Sequence, residues 1–176
     1  MNTSLVVTVM GPNTLGLVNR LAEMAADFGA NWLRARMANL AGQFAGVFQL
    51  EVAAASVDAL DAALHRLEST GLRVMTTLGD PQAYASEREL HRLQLVCQDH
   101  PGIVRDTSQV LAKNGVSIED LITDCVSGAF SNERMFQASA QLRVPDTLEI
   151  VRLREALEAL ANELMVDLTL DDRRIR

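Results

Sequence analysis

The chain repeats itself, and that repetition limits its possible folds more than any other feature. Sliding the 176-residue sequence against itself by 86 positions places Gly16 on Gly102, Leu17 on Ile103, Val18 on Val104 and Gly29 on Gly115. The same shift sets Val9 on Leu95, Asn13 on Asp99 and Asn31 on Ser117. At a shift of 88, Phe48-Gln49 falls on Phe136-Gln137. The paired glycines lie 13 residues apart in both halves. A period of this length means two copies of one supersecondary unit.

Each copy reads alike. A short apolar run, Leu5–Met10 or Leu93–Cys97, has the length and β-branched content of a strand. A Pro/Gly turn follows, and then a helical period: Leu17, Leu21, Met24, Ala25 and Phe28, or Ile103, Thr107, Val110 and Leu111. Pro101 suits a first helical position, and Gly29 and Gly115 suit left-handed C-caps. Residues 30–40 and 43–53 read as a strand pair around Gly42, and residues 116–127 and 133–144 as its counterpart around Gly128. A second helix carries Leu60, Leu64 and Leu67, or Ile150, Leu153, Leu157, Leu160 and Leu164. Leu72–Leu78 and Met165–Leu170 close the copies as last strands. The order β-α-β-β-α-β, twice over, predicts an α+β chain of two ferredoxin-like units with antiparallel four-stranded sheets. The boundaries fall at 1–79, a polar linker at 80–89, and 90–176. Units of this size leave apolar surface uncovered, so packing of one against the other and homodimerisation are both expected.

Charge narrows the function classes. The net charge is −7, distributed as −1 over residues 1–79, −2 over 80–89 and −4 over 90–176. Such a chain gains no counterion release on DNA, and 4% aromatic residues supply no stacking platform for single strands. Direct nucleic-acid binding is therefore not expected. Cys97 and Cys125 are too few for a disulfide framework, which fits a reducing compartment. No signal peptide or apolar run of membrane-span length is present, so a cytoplasmic protein that does not bind membranes is expected.

Asp99-His100-Pro101-Gly102-Ile103-Val104, followed by Asn114-Gly115-Val116-Ser117-Ile118-Glu119-Asp120, resembles the loop, helix and second-strand signature of the ACT domain. This is a regulatory module that binds amino acids. The first copy, Asn13-Thr14-Leu15-Gly16-Leu17-Val18, departs from it in lacking a proline before the glycine and having Pro12 instead. Two such units with no catalytic domain resemble the glycine cleavage system transcriptional repressor group. That resemblance implies a non-catalytic sensor of glycine or a similar amino acid. It also implies a grip on a protein partner, such as a DNA-binding transcription factor, that changes with ligand. The alternative is a regulatory or oligomerisation subunit of an amino-acid-metabolism enzyme, with no ligand of its own. No cofactor is implied.

The resemblance places ligands at interfaces between paired units, near the loop after the first strand and the start of the second. The residues concerned are Asn13, Thr14, Leu15, Gly16 and Asn31 in one copy, and Asp99, His100, Gly102 and Ser117 in the other. Chemistry supports the same places. A glycine loop entering a helix presents free N–H groups and the positive end of the dipole, which suits a carboxylate. Asn13 and Asn31 offer both donors and acceptors. Asp99 would repel a carboxylate and attract an ammonium, and Ser117 has a shorter reach. The plainer reading makes Asn13 and Asp99 turn or N-cap residues.

Rival chemistries are weaker. Gly11–Gly16 lacks the Gly-Lys-Ser/Thr ending of a phosphate loop. His65, His91, His100 and the cysteines have no metal-ligand spacing. Cys97 and Cys125 read as buried small hydrophobes, and Trp32 as core or interface. Glu119, Asp120 and Asp124 read as a solvated strand edge, with Glu119 on the face opposite the two aspartates. No nucleophile has a base at recognisable spacing, so an enzyme is not expected.

Overall fold

In the computed structural model, residues 1–79, 90–127 and 133–175 are described. The expected linker at 80–89 and the turn at Gly128 lie outside them. The chain divides into two compact units, Met1–Ser86 and Glu87–Arg176.

In unit 1, alternation drives the strands. Leu5, Val7 and Val9 are buried while Thr8 and Met10 face outward, giving β1 at Asn2–Pro12. Helix α1 (Leu17–Asp27) buries Leu21 and Ala25 on the stripe that continues from Leu17. Strands β2 (Asn31–Leu40) and β3 (Gln43–Ala53) form a hairpin, α2 (Val57–Arg66) follows, and β4 (Arg73–Leu78) closes the unit. The antiparallel sheet runs β2-β3-β1-β4. Unit 2 repeats this with β5 (Leu90–Gln98), α3 (Ile103–Lys113), β6 (Ser117–Ser127), β7 (Arg134–Arg143), α4 (Ile150–Leu164) and β8 (Asp167–Ile175). Its order is β6-β7-β5-β8. The βαββαβ fold expected from the repeat is present twice. Both first helices close with the same pair of bonds: Gly29 N–H to Ala26 O and Ala30 N–H to Ala25 O (both 2.9 Å), then Gly115 to Ala112 and Val116 to Leu111 (both 3.0 Å).

Four details differ from the sequence reading. The strands are longer at several ends, and β8 runs five residues past Leu170, because ladder pairing with β5 continues. Pro101 stands two residues before α3, in the turn, and Gly102 takes the cap position. Cys97 is buried but Cys125 is exposed, since β6 is an edge strand with few neighbours to cover it. In β6 a bulge between Ile118 and Asp120 interrupts strict alternation at Glu119, and unit 1 has the same irregularity between Trp32 and Arg34.

The register also corrects the 88-residue match. Phe48 pairs with Val7, whose counterpart at a shift of 86 is Leu93, and Leu93 pairs with Ala140. Phe136 pairs with Cys97, the counterpart of Gly11, which pairs with Phe44. The true counterpart of Phe136 is therefore Phe44, and Ala140 stands where unit 1 has Phe48. The third strands are offset by 92 rather than 88, the added residues falling between β6 and β7.

This matters for packing. In unit 1 a single apolar cluster joins Leu5, Val7, Leu21, Phe48, Leu60 and Leu64, and Trp32 stacks on Phe48 at 4.3 Å and 4°. In unit 2 the core is split into two clusters, one around Leu93, Leu111, Leu142 and Leu153 and one around Leu95, Ile103 and Phe136. A cavity of about 30 Å³ lies within unit 2, bordered by α3 and strands β5, β6 and β7.

Candidate functional site

Four residues, Asn13 to Gly16, cross from β1 to α1, and all are exposed. The Asn13 N–H donates to Gly42 O at 3.0 Å, tying the loop to the β2–β3 turn, and the Leu17 N–H donates to Thr14 O at 3.2 Å. Leu15 points fully into solvent. Gly16 adopts φ 76° at the cap, a left-handed conformation that glycine reaches without strain. No side chain caps α1, and its first turn holds no acid. Asn13 is thus not an N-cap. The helix end keeps N–H groups and the positive end of the dipole available to an anion.

Arg20 completes this loop, and the sequence reading missed it. Its Nη2 donates to Thr14 Oγ1 at 2.8 Å, so the guanidinium reaches back over the loop. Its Nε is buried without a hydrogen-bond partner. The available signal was its position four residues after Gly16, one helical turn in.

Unit 2 reverses the sign. At the shift of 86, Asp106 occupies the place of Arg20. Arg105 grips it, Nε donating to Oδ1 at 2.7 Å and Nη2 to Oδ2 at 3.2 Å, which holds the Asp106 carboxyl below its usual range. Asp99 is half-buried with Arg134 Nε at 3.4 Å, and its N–H donates to Arg134 O at 2.8 Å. His100 Nδ1 lies 3.2 Å from Pro101 O. Gly102, at φ 105°, is the cap, again without a side-chain hydrogen bond. Asp99, like Asn13, is a loop residue and not a cap.

The second-strand residues stand elsewhere. Asn31 is exposed and pairs with Glu51, which pairs with Ser4, whereas Asn13 follows Pro12. Eight strand residues separate those levels, or about 26 Å along the sheet. Asn13 and Asn31 of one unit do not meet. Ser117 and Asp99 are separated likewise, since Ser117 pairs with Arg143 and Arg143 with Leu90 at the far end of β5. The loop and the second-strand start can share a ligand only when they come from different units.

Of the other candidates, Glu119 is engaged by Arg143, whose Nε and Nη2 donate to its two carboxylate oxygens at 2.9 and 3.0 Å. That fork holds the Glu119 carboxyl below the usual range. Burial raises the Cys97 thiol, with Asp99 adding to it. No helix among the described residues is long and apolar enough to cross a membrane.

Comparisons with known proteins agree with this architecture. Residues 3–77 match the ACT domain family, and no curated protein matches the sequence. A crystal structure of an unknown protein from Galdieria sulphuraria is similar over 100% of both chains, with 26% identity and a TM-score of 0.83. A candidate glycine cleavage system transcriptional repressor is similar over 97% of both chains, with 19% identity and a TM-score of 0.69, a likeness of fold. With residues 3–77 matching the ACT domain family and the same βαββαβ order recurring in unit 2, the chain carries an ACT-like fold in tandem.

Proposed function

We propose that the chain is a non-catalytic amino-acid sensor whose unit 1 loop receives the carboxylate of the ligand. The observation that carries this reading is Arg20, a cation over an uncapped helix end with its Nε buried and unpartnered. Thr14 Oγ1 and the N–H groups after Gly16 complete a carboxylate seat. The ammonium falls to Asn13, and to Asn31 of a second copy of the chain in a homodimer. That assignment meets the requirement that the two asparagines come from different units. In unit 2 the corresponding loop, with Asp99, His100 and Gly102, has no counterpart of Arg20, and its acids Asp99 and Asp106 are held by Arg134 and Arg105, so it offers no equivalent carboxylate seat. Its second-strand partner would be Ser117.

Ligand shifts the population between packings of the dimer by no more than its difference in affinity for them. The state favoured by ligand then grips a protein partner differently. The likeness of fold to a candidate glycine cleavage system repressor supports glycine or a similar small amino acid as ligand and a DNA-binding transcription factor as partner. The net charge of −7 is consistent with DNA being reached through that partner. A thermal-shift screen of the twenty amino acids tests this. At one hundred times the dissociation constant, ligand adds about 2.7 kcal/mol of stability. Arg20→Met should abolish the shift for every amino acid that gives one. A full set of shifts in that variant, or none in the parent chain, refutes the seat.

A further inference from the structure

The two sheets turn faces of opposite charge away from their helices. In unit 1, burial of Leu5, Val7 and Val9 under the helices leaves Val6, Thr8 and Met10 on the outward side. Register carries that side across the sheet. Thr8 pairs with Val47 and Met75, Met10 with Arg73, and on edge strand β2 Arg36 pairs with Val47 and Arg34 with Gln49. Met10, Val47 and Met75 are exposed. Arg34 and Arg36 line one edge of the sheet and Arg73 the other. These are three of the five basic residues in 1–79. Glu51, toward one end, is the single acid beside them among the described residues.

The outward side of unit 2 is built alike with the sign reversed. Val96 pairs with Gln137 and Asp167, and Gln137 with Asp124. Arg92 pairs with Asp171 and with Gln141, which pairs with Asp120. Asp120 and Asp124 therefore line edge strand β6, and Asp167 and Asp171 line edge strand β8. Val96 and Ile122 are the exposed apolar residues of this face. Arg143 at its end is already held by Glu119, so Arg92 stands against four aspartates.

Facing sheets pack about 10 Å apart with their strands aligned to within about 30°. Edge strands then lie over edge strands. Arginine-lined edges meet aspartate-lined edges whichever way the strands run, and the methionines and valine of unit 1 cover Val96 and Ile122. Either face set against its own kind meets like charge and is repelled. We propose that the outward sheet face of unit 1 docks on the outward sheet face of unit 2 in a second copy of the chain. Area favours a reciprocal pair of such contacts. A four-stranded face of this extent covers roughly 350 Å², so one contact hides only about 700 Å² in total and two hide about 1,400 Å², within the range of stable interfaces. A two-fold axis makes the second contact from the first and closes the assembly at a dimer. This docking does not rest on the carboxylate seat, since Arg20 and α1 lie on the other side of the sheet.

The test is sedimentation velocity on the full chain and on two charge-reversed variants, Arg36→Glu/Arg73→Glu and Asp124→Arg/Asp167→Arg. The parent should sediment as a dimer at micromolar concentration, and more weakly as salt rises. Each variant alone brings like charge to both contacts and should dimerise at least about a hundredfold more weakly. An equimolar mixture of the two sets each reversed face on the other and each native face on the other. It should dimerise like the parent, which also shows both variants to be folded. If either pair of substitutions prevents folding, Arg73→Glu and Asp124→Arg alone carry the same comparison with a smaller effect. A monomeric parent overturns the proposal, as do variants that dimerise like the parent or a mixture that stays monomeric. A monomeric parent that loses thermal stability in both variants, without regaining it on mixing, places the contact inside one chain and overturns the second copy. Arg20→Met should dimerise like the parent, so failure of this docking and failure of the carboxylate seat are read separately.

Discussion

Gly16 and Gly102 hold the same position in two copies of one motif, yet substitution should cost them differently. Both have positive φ, so a side chain at either is strained by about 1–2 kcal/mol. A Cβ on Gly16 meets nothing within 4 Å, whereas one on Gly102 comes within 3.2 Å of Arg105 Nη2 and 3.3 Å of Asp106 Oδ2. Gly16→Ala should therefore show the backbone cost alone in urea titration, and Gly102→Ala should exceed it by the disturbed ion pair. Glu119 offers a pH-dependent test. Its folded carboxyl is held low by the Arg143 hydrogen bonds, so its contribution is full above the unfolded value of about 4.3 and fades as pH falls through the folded one. Glu119→Gln should cost about 0.5–1 kcal/mol at pH 7 and nothing well below pH 4. The cysteines divide by place: at pH 8 a thiol reagent should modify exposed Cys125 at once and reach Cys97 only on unfolding. Sequence alone made both cysteines core residues, because a residue's strand does not disclose whether that strand lies at an edge. Arg20 was missed for a related reason: its place one turn after Gly16 was readable, but only the folded loop shows its side chain turning back onto Thr14.

Helices and strands were legible to differing degrees. The helix start at Leu17 and the stripe Leu153, Leu157, Leu160 follow directly from apolar spacing and glycine, whereas Pro101 drew the expected start of α3 two residues too early. Strand ends do not, because pairing with a neighbour extends β8 through residues that have no apolar alternation to announce them. The third strands were misaligned for a clearer physical reason. Two phenylalanines attract a match by identity, but inward-facing positions are set by register, and register assigns Phe136 to Phe44. The two loops were read correctly as the turns between first strand and first helix. Their partners in the second strands were not read as distant, although a helical crossover between parallel strands already returns the chain to the opposite end of the sheet before β2 begins. At this scale the stripe of α4 gives a direct check. Leu157→Ala should cost about 2–5 kcal/mol in chemical denaturation, against no more than about 0.5 for exposed Val151→Ala.

For the whole molecule, charge and connectivity set the expectations. With −7 net charge, the purified chain should not retard duplex DNA at moderate salt, and a specific shift at nanomolar protein would replace the partner mechanism with direct binding. The cavity of unit 2 has one more consequence, a mechanical one. Space that a folded protein encloses and an unfolded one does not makes unfolding a contraction, and hydrostatic pressure favours the smaller volume. The unfilled space of unit 2 amounts to at most about 18 mL per mole. Under compression at constant temperature the two halves of this repeat should therefore part company, with signals from unit 2 disappearing at a lower pressure than those from the stacked Trp32–Phe48 core of unit 1.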